Sequence, residues 1–121
     1  MLIIPPPIRS RKRPEGARPA AQAPVINVNV TRIFLTYEQG IVMLFDGPVT
    51  VDQSSPPTTW SFHGITSIQP GSGFNFTNGT YFLLNGVVVP GQSVVIAADD
   101  PAARTPSGGY VNGGTFTIED L

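Results

Sequence analysis

The chain has no cysteine, which excludes disulfides, thiolate metal sites and a cysteine nucleophile. It has one histidine, His63, and one tryptophan, Trp60. A Ser-His-Asp hydrolase needs a base oriented by a carboxylate. His63 follows Ser61 by two positions, with Asp46 and Asp52 upstream, but no Gly-x-Ser-x-Gly elbow accompanies them. Charge is scarce as well: charged residues make up 12% of 121 residues, about half the usual share. No apolar run approaches the roughly 18 residues that a membrane-spanning helix needs. Hydrophobic residues nevertheless reach 40%, enough for one core and too many for a wholly disordered chain.

The few charges are unevenly placed. Residues 1–24 hold Arg9, Arg11, Lys12, Arg13 and Arg18 against Glu15, a net +4. Residues 25–121 hold Arg32 and Arg104 against seven acids, a net −5. The first 24 residues also contain six prolines, each of which fixes φ and removes an amide donor. They read as an extended arm, about 75 Å long at about 3.1 Å per residue. The arm carries an apolar tip, Leu2, Ile3 and Ile4 with Ile8, and such a tip calls for a partner that covers it. The apolar stretch precedes the cations and runs into Pro5-Pro6-Pro7, the wrong order for a secretory signal. Synthesis and retention in the cytoplasm are therefore expected.

From Val25 the pattern is that of strands. Val25 to Val30 alternates with period two and Thr31 to Tyr37 continues it. Glu38-Gln39-Gly40 reads as a hairpin loop with the glycine in the left-handed position. Further strands are expected at Ile41 to Phe45, Val49 to Val51, Thr58 to Phe62, Ile65 to Ile68, Phe74 to Thr77 and Thr80 to Leu83. Val87 to Val89, Ser93 to Ala97 and Thr115 to Ile118 complete the set. Asn78-Gly79 predicts a tight type I′ turn, since both residues tolerate positive φ. No window shows a helical period. The expected fold is all-β: an antiparallel β-sandwich of about seven to nine strands over residues 25–121, with Phe45, Trp60, Phe62, Phe76 and Phe82 as its large core members.

Two stretches resemble a known family. Ile41-Val42-Met43-Leu44-Phe45-Asp46-Gly47-Pro48-Val49 resembles the strand of bacterial immunoglobulin-like repeat modules that ends in Phe, Asp or Ser, and Pro-Val. Val88-Val89-Pro90-Gly91-Gln92-Ser93-Val94-Val95-Ile96 resembles their Pro-Gly-x-x-Val-x-Val late strand. The resemblance covers about 18 residues. It implies an immunoglobulin-like module of the kind found in surface and phage virion proteins, with no catalytic residues to carry over.

Other candidate chemistry is sparse. Asp99-Asp100 and Glu119-Asp120 are adjacent pairs, and adjacent strand residues point apart, so solvated acids rather than a calcium site are expected. Neither Gly71-Ser72-Gly73 nor Gly108-Gly109 carries a P-loop lysine. The arm lacks interleaved aromatics, so base stacking is not expected, and its apolar tip favours a protein partner over nucleic acid, the alternative partner. These features predict a non-enzymatic structural protein of a phage or virus-like particle, with no cofactor and no metal. It would serve as capsid decoration, cement or another virion component, made in the host cytoplasm. Its body would dock on a lattice or neighbouring subunits, anchored by Leu2, Ile3, Ile4, Ile8, Arg9, Arg11, Lys12, Arg13 and Arg18. The alternative is a surface-binding module that recognises carbohydrate or a host receptor. That site would lie on the loops 52–58 and 99–109, with Trp60 or Tyr110 as a stacking platform.

Overall fold

A computed structural model of the chain describes residues 24–121. The arm expected over 1–24 lies outside the described residues except for Pro24. The described residues are all-β, with nine strands and no helix. In chain order these are β1 (Val30–Leu35), β2 (Gly40–Phe45), β3 (Thr50–Val51), β4 (Trp60–Phe62), β5 (Phe74–Phe76), β6 (Gly79–Leu83), β7 (Ser93–Ile96), β8 (Ala103–Arg104) and β9 (Gly114–Asp120). Seven form one sheet in the order β4-β7-β9-β1-β2-β6-β5, and β3 pairs with β8 in a second, small sheet.

The large sheet is mixed, which corrects the purely antiparallel expectation. β1 and β9 run parallel, with Ile33 opposite Ile118 and Leu35 opposite Asp120. Upstream, Val28 and Val111 form a parallel bridge on the same line. A parallel pair needs a long crossover. Here residues 36–113 form that crossover, because the pair joins the first described strand to the last.

One bulge sets the inward face of β1. The register against β2 shifts between Val30 and Arg32, so Thr31 is the extra residue. Val28 and Val30 are buried before the bulge, and Ile33 and Leu35 after it. Without the inserted residue, an alternation that begins on even positions would turn Ile33 and Leu35 to the outer face. The Thr31 hydroxyl donates to the Leu44 carbonyl at 3.2 Å.

The sheet curls into a half-barrel around one core. Ile33, Ile41, Met43, Trp60, Phe62, Phe82, Val94, Ile96 and Ile118 are its fully buried apolar members from the large sheet. Phe82 is the aromatic hub: its ring meets Phe62 edge-on at 5.6 Å and Trp60 at 6.3 Å. Short links join the two flanks of the sheet. A hairpin at Phe62–Ile65 turns the chain off β4, and Ile68 then bridges to Leu84 just past β6. Gln69 donates to Leu83 at 2.8 Å and Asn85 to Ser67 at 2.8 Å along that seam. The β3-β8 sheet contributes Val51 and Ala103 to the same core. Asn75 fastens it to β5, its side-chain oxygen accepting from the Val51 N–H at 3.0 Å and its amide donating to the Val51 carbonyl at 2.9 Å.

Several local expectations are corrected. Val87 to Val89 forms no strand, and Ile65 to Ile68 contributes only isolated bridges. β8 lies within the segment expected to be an open loop. The left-handed residue of the first hairpin is Gln39, at φ 67°, and Gly40 begins β2. In the β5–β6 hairpin Phe76 faces Gly79, so the turn is Thr77-Asn78, with only Asn78 left-handed at φ 53°. Consecutive positive φ values, the requirement of a type I′ turn, occur instead at His63 (51°) and Gly64 (91°). Phe76, expected in the core, is on the outer face.

Candidate functional site

The groups nominated for catalysis are engaged in turns. His63 is exposed at a hairpin tip, and its N–H donates to the Ser93 carbonyl at 2.9 Å. The Ser61 hydroxyl oxygen accepts the Gly64 N–H at 3.1 Å. Asp46 accepts the Asn29 N–H and side-chain amide, both at 2.8 Å, and these bonds hold its carboxyl below the ordinary range. Asp52 accepts the Ser54 hydroxyl and the Ser54 and Ser55 N–H groups, with the same effect.

The stacking candidates are placed differently from each other. Trp60 is 0% exposed, so it belongs to the core and offers no platform; its indole N–H has no acceptor among the described residues. Although β4 is a terminal strand of the sheet, its Trp60 ring points inward and packs 6.3 Å from Phe82. Tyr110 is half-buried, and the Arg104 guanidinium lies over its ring at 4.3 Å. Arg104 is held there by the Gly108 and Gly109 carbonyls, at 2.7 and 3.3 Å.

The loops 52–58 and 99–109 are tied together rather than open. Asp100, expected as a solvated acid, is buried. One carboxylate oxygen accepts from the Thr58 N–H, the Thr59 N–H and the Thr59 hydroxyl, at 3.2, 3.2 and 2.6 Å. The other accepts the Ala102 N–H at 2.9 Å. Burial, the largest single influence, pushes this carboxyl up, but the four donors together hold it below the usual range. Asp52 adds a backbone bond to the Ala102 carbonyl at 2.7 Å. The sequence signal that could have found Asp100 is the Asp-x-Ala-type turn followed by a strand residue, and it is too weak to use.

Exposed apolar surface gathers on the outer face at one edge of the large sheet. β5 is its terminal strand and pairs only with β6. Phe74 is 58% and Phe76 38% exposed. Phe74 stacks on Tyr81 at 5.4 Å and lies 6.1 Å from Phe76. Glycines make room for these rings: a Cβ on Gly79 would strike the Phe76 ring, and one on Gly40 the Tyr81 ring. An aromatic edge strand of this kind is a ready template for protein contact. Next to it a cleft of about 380 Å³ is lined by Pro48, Thr50, Asn75 and Phe76.

A second cleft of about 490 Å³ lies where β1 ends and β9 ends. Leu35, Tyr37, Gln39, Pro90 and Asp120 line it, with Tyr37 99% exposed. Beside it on the outer face, Arg32 and Glu119 form an ion pair at 2.7 Å across the parallel strands. Hydrogen bonding from Arg32 lowers the Glu119 carboxyl, and Arg32 also covers the Phe34 ring at 4.2 Å.

Among the described residues, no three His, Cys, Asp or Glu side chains come together as a metal-binding group. No described helix is long and apolar enough to cross a membrane. The arm residues Leu2, Ile3, Ile4, Ile8, Arg9, Arg11, Lys12, Arg13 and Arg18 lie outside the described residues. No family model and no curated protein matches the chain. Among solved structures, the chain is similar in fold to the N-terminal part of the bacterial S-layer protein SbsC, with a TM-score of 0.52 and 16% identity. That likeness covers 78% of this chain and 24% of the other, so the chain spans about a quarter of that structure's length.

Proposed function

We propose that the chain is a non-enzymatic structural subunit of an ordered protein assembly, of the phage or virus-like particle kind. Its body docks against neighbouring subunits and residues 1–24 anchor it. The observation that carries this reading is the aromatic edge of Phe74, Phe76 and Tyr81 on a terminal strand. It is contact surface of the sort that assembly buries. The tied loops agree with it, because Asp100 spends its acceptor capacity on holding the chain and not on a ligand. The similar fold comes from an S-layer protein, and a structural role in a lattice fits that neighbour as well as a virion. Immunoglobulin-like membership is part of the proposal. Asp46-Gly47-Pro48-Val49 directly follows β2, and the Pro90-Gly91 turn leads into β7.

The test is composition. Particles purified from the source and analysed by quantitative mass spectrometry should contain this chain in a fixed ratio to a coat or lattice protein. A chain that purifies only as a free monomer and binds a defined glycan would favour the carbohydrate-binding alternative. The aromatic edge would then be the site to examine first, in place of Trp60.

A further inference from the structure

The geometry points to the cleft between the β1–β2 turn and the end of β9 as the seat of residues 5–13 from a second copy of this chain. This inference rests on the assembly reading above and names the contact that reading leaves open.

Three observations select the occupant. The first is chemistry. A fully exposed tyrosine beside a proline, Tyr37 and Pro90, is the surface on which proline-rich segments dock. Residues 5–8 of the chain, Pro-Pro-Pro-Ile, supply such a segment.

The second is charge. Asp120 lines the cleft and Glu38 stands in the turn between the lining residues Tyr37 and Gln39. Asp46, Asp52 and Asp100 are each engaged by local donors, and Glu119 by Arg32. Of the three other acids of the body, Asp99 lies between β7 and β8, away from the cleft, while Glu38 and Asp120 stand at its rim, and Arg9, Arg11, Lys12 and Arg13 directly follow the prolines. With prolines over Tyr37 and Pro90, the cations come to the acidic rim.

The third is length. The described chain enters the body beside Ser107, whose hydroxyl accepts the Ile26 N–H at 2.9 Å. That is the opposite end of β1 from the cleft. Nine residues of strand at about 3.3 Å each put roughly 30 Å between them. The eleven residue steps from Arg13 to Pro24 span about 34 Å at about 3.1 Å each. Arg13 would meet its own cleft only if that whole stretch doubled straight back along β1. The cleft of a neighbour carries no such restriction.

Lys12 is the only lysine in the chain, which makes the test direct. Full-length chain, half of it heavy-isotope-labelled, is mixed, allowed to assemble and treated with a carbodiimide that joins an amine to a carboxylate in contact. Peptide mass spectrometry should find Lys12 joined to Asp120 or Glu38, in pairs that combine a light and a heavy chain. Tyr37→Ala, at a fully exposed position, should lower that yield about tenfold while leaving the melting temperature unchanged. The inference is overturned if Lys12 joins another acid, joins only its own chain, or joins nothing. It is equally overturned if Tyr37→Ala leaves the yield intact. Sedimentation of the same sample separates the two readings. Assembled material without the Lys12 link ends the cleft proposal alone, whereas a chain that stays monomeric, both in this sample and after purified particles are added to it, ends the assembly reading too.

Discussion

Replacing Asp100 with alanine should be among the most damaging polar substitutions in the body. The side chain is buried and accepts four hydrogen bonds, from Thr58, twice from Thr59 and from Ala102. Among the described residues no cation pairs with it, so its compensation there comes from these donors. A hydrogen bond to a charged group contributes roughly 1.5–3 kcal/mol when one partner is deleted. Thr58 and Thr59 sit at exposed positions, where water replaces part of the loss. A total of about 3 kcal/mol follows, which for a domain of this size lowers the melting temperature by roughly 12–24 °C. Asp100→Asn should be milder. Its oxygen can face the three Thr58 and Thr59 donors, but its NH₂ must then face the Ala102 N–H, donor against donor, at a cost of about 1–2 kcal/mol.

The same carboxylate makes a pH signature. Its folded pKa lies below the unfolded value of about 3.9, so its stabilisation is fully present above that pH. It is lost as pH falls through the lower folded value. The gap between the parent and Asp100→Asn, followed by thermal melts at a series of pH values, should therefore narrow in acid. An Asp100→Ala protein that melts within about 2 °C of the parent would refute the reasoning and leave the two long loops untied.

Three further outcomes are expected. Gly79→Ala should cost about 1–2 kcal/mol and displace the Phe76 ring, because the new Cβ meets that ring and lies 3.0 Å from the Met43 carbonyl; denaturant melts and the near-ultraviolet circular dichroism check both. His63→Asn should leave the fold intact and gain up to about 1 kcal/mol, since asparagine accepts the positive φ of this turn more readily; a loss in the chemical-denaturation midpoint would show that the imidazole contributes something the turn does not. Deleting residues 1–24 should leave the melting transition in place, because the core cluster is built from residues 28–118, and abolish co-purification with the particle; changing Arg9, Arg11, Lys12 and Arg13 to glutamine should weaken that attachment more at low salt than at high salt.

Which parts of the fold were legible follows from how local each signal is. β2, β6, β7 and β9 are read from short apolar or alternating runs bounded by turn residues, and such runs need no knowledge of their partners. Turn geometry was less legible. Asn78-Gly79 and His63-Gly64 both end in glycine, but strand pairing decides which two residues occupy a loop. Phe76 opposite Gly79 moves the first turn back by one position, to Thr77-Asn78, while Phe62 opposite Ile65 leaves His63-Gly64 as the two turn residues of the second. For the site, composition directed attention to the tryptophan as the largest aromatic. Three smaller aromatics beside glycines form the exposed surface instead, and aromatic-glycine juxtaposition across strands cannot be seen along one strand.

The sequence by itself determined that the body is all-β, that it has no thiol chemistry, and that positive charge is concentrated in the first 24 residues against an acidic remainder. Each of these depends on residue type or on spacing of a few positions. The tertiary structure alone decided that the first and last strands pair in parallel, that Thr31 is a bulge which turns Ile33 and Leu35 inward, and that Asp100 is buried between two loops. It also decided that Trp60 is core and Phe74 and Phe76 are surface. Those outcomes depend on contacts between residues tens of positions apart. Closing a curled sheet around a single core fixes them, and no local pattern encodes which strand will lie next to which.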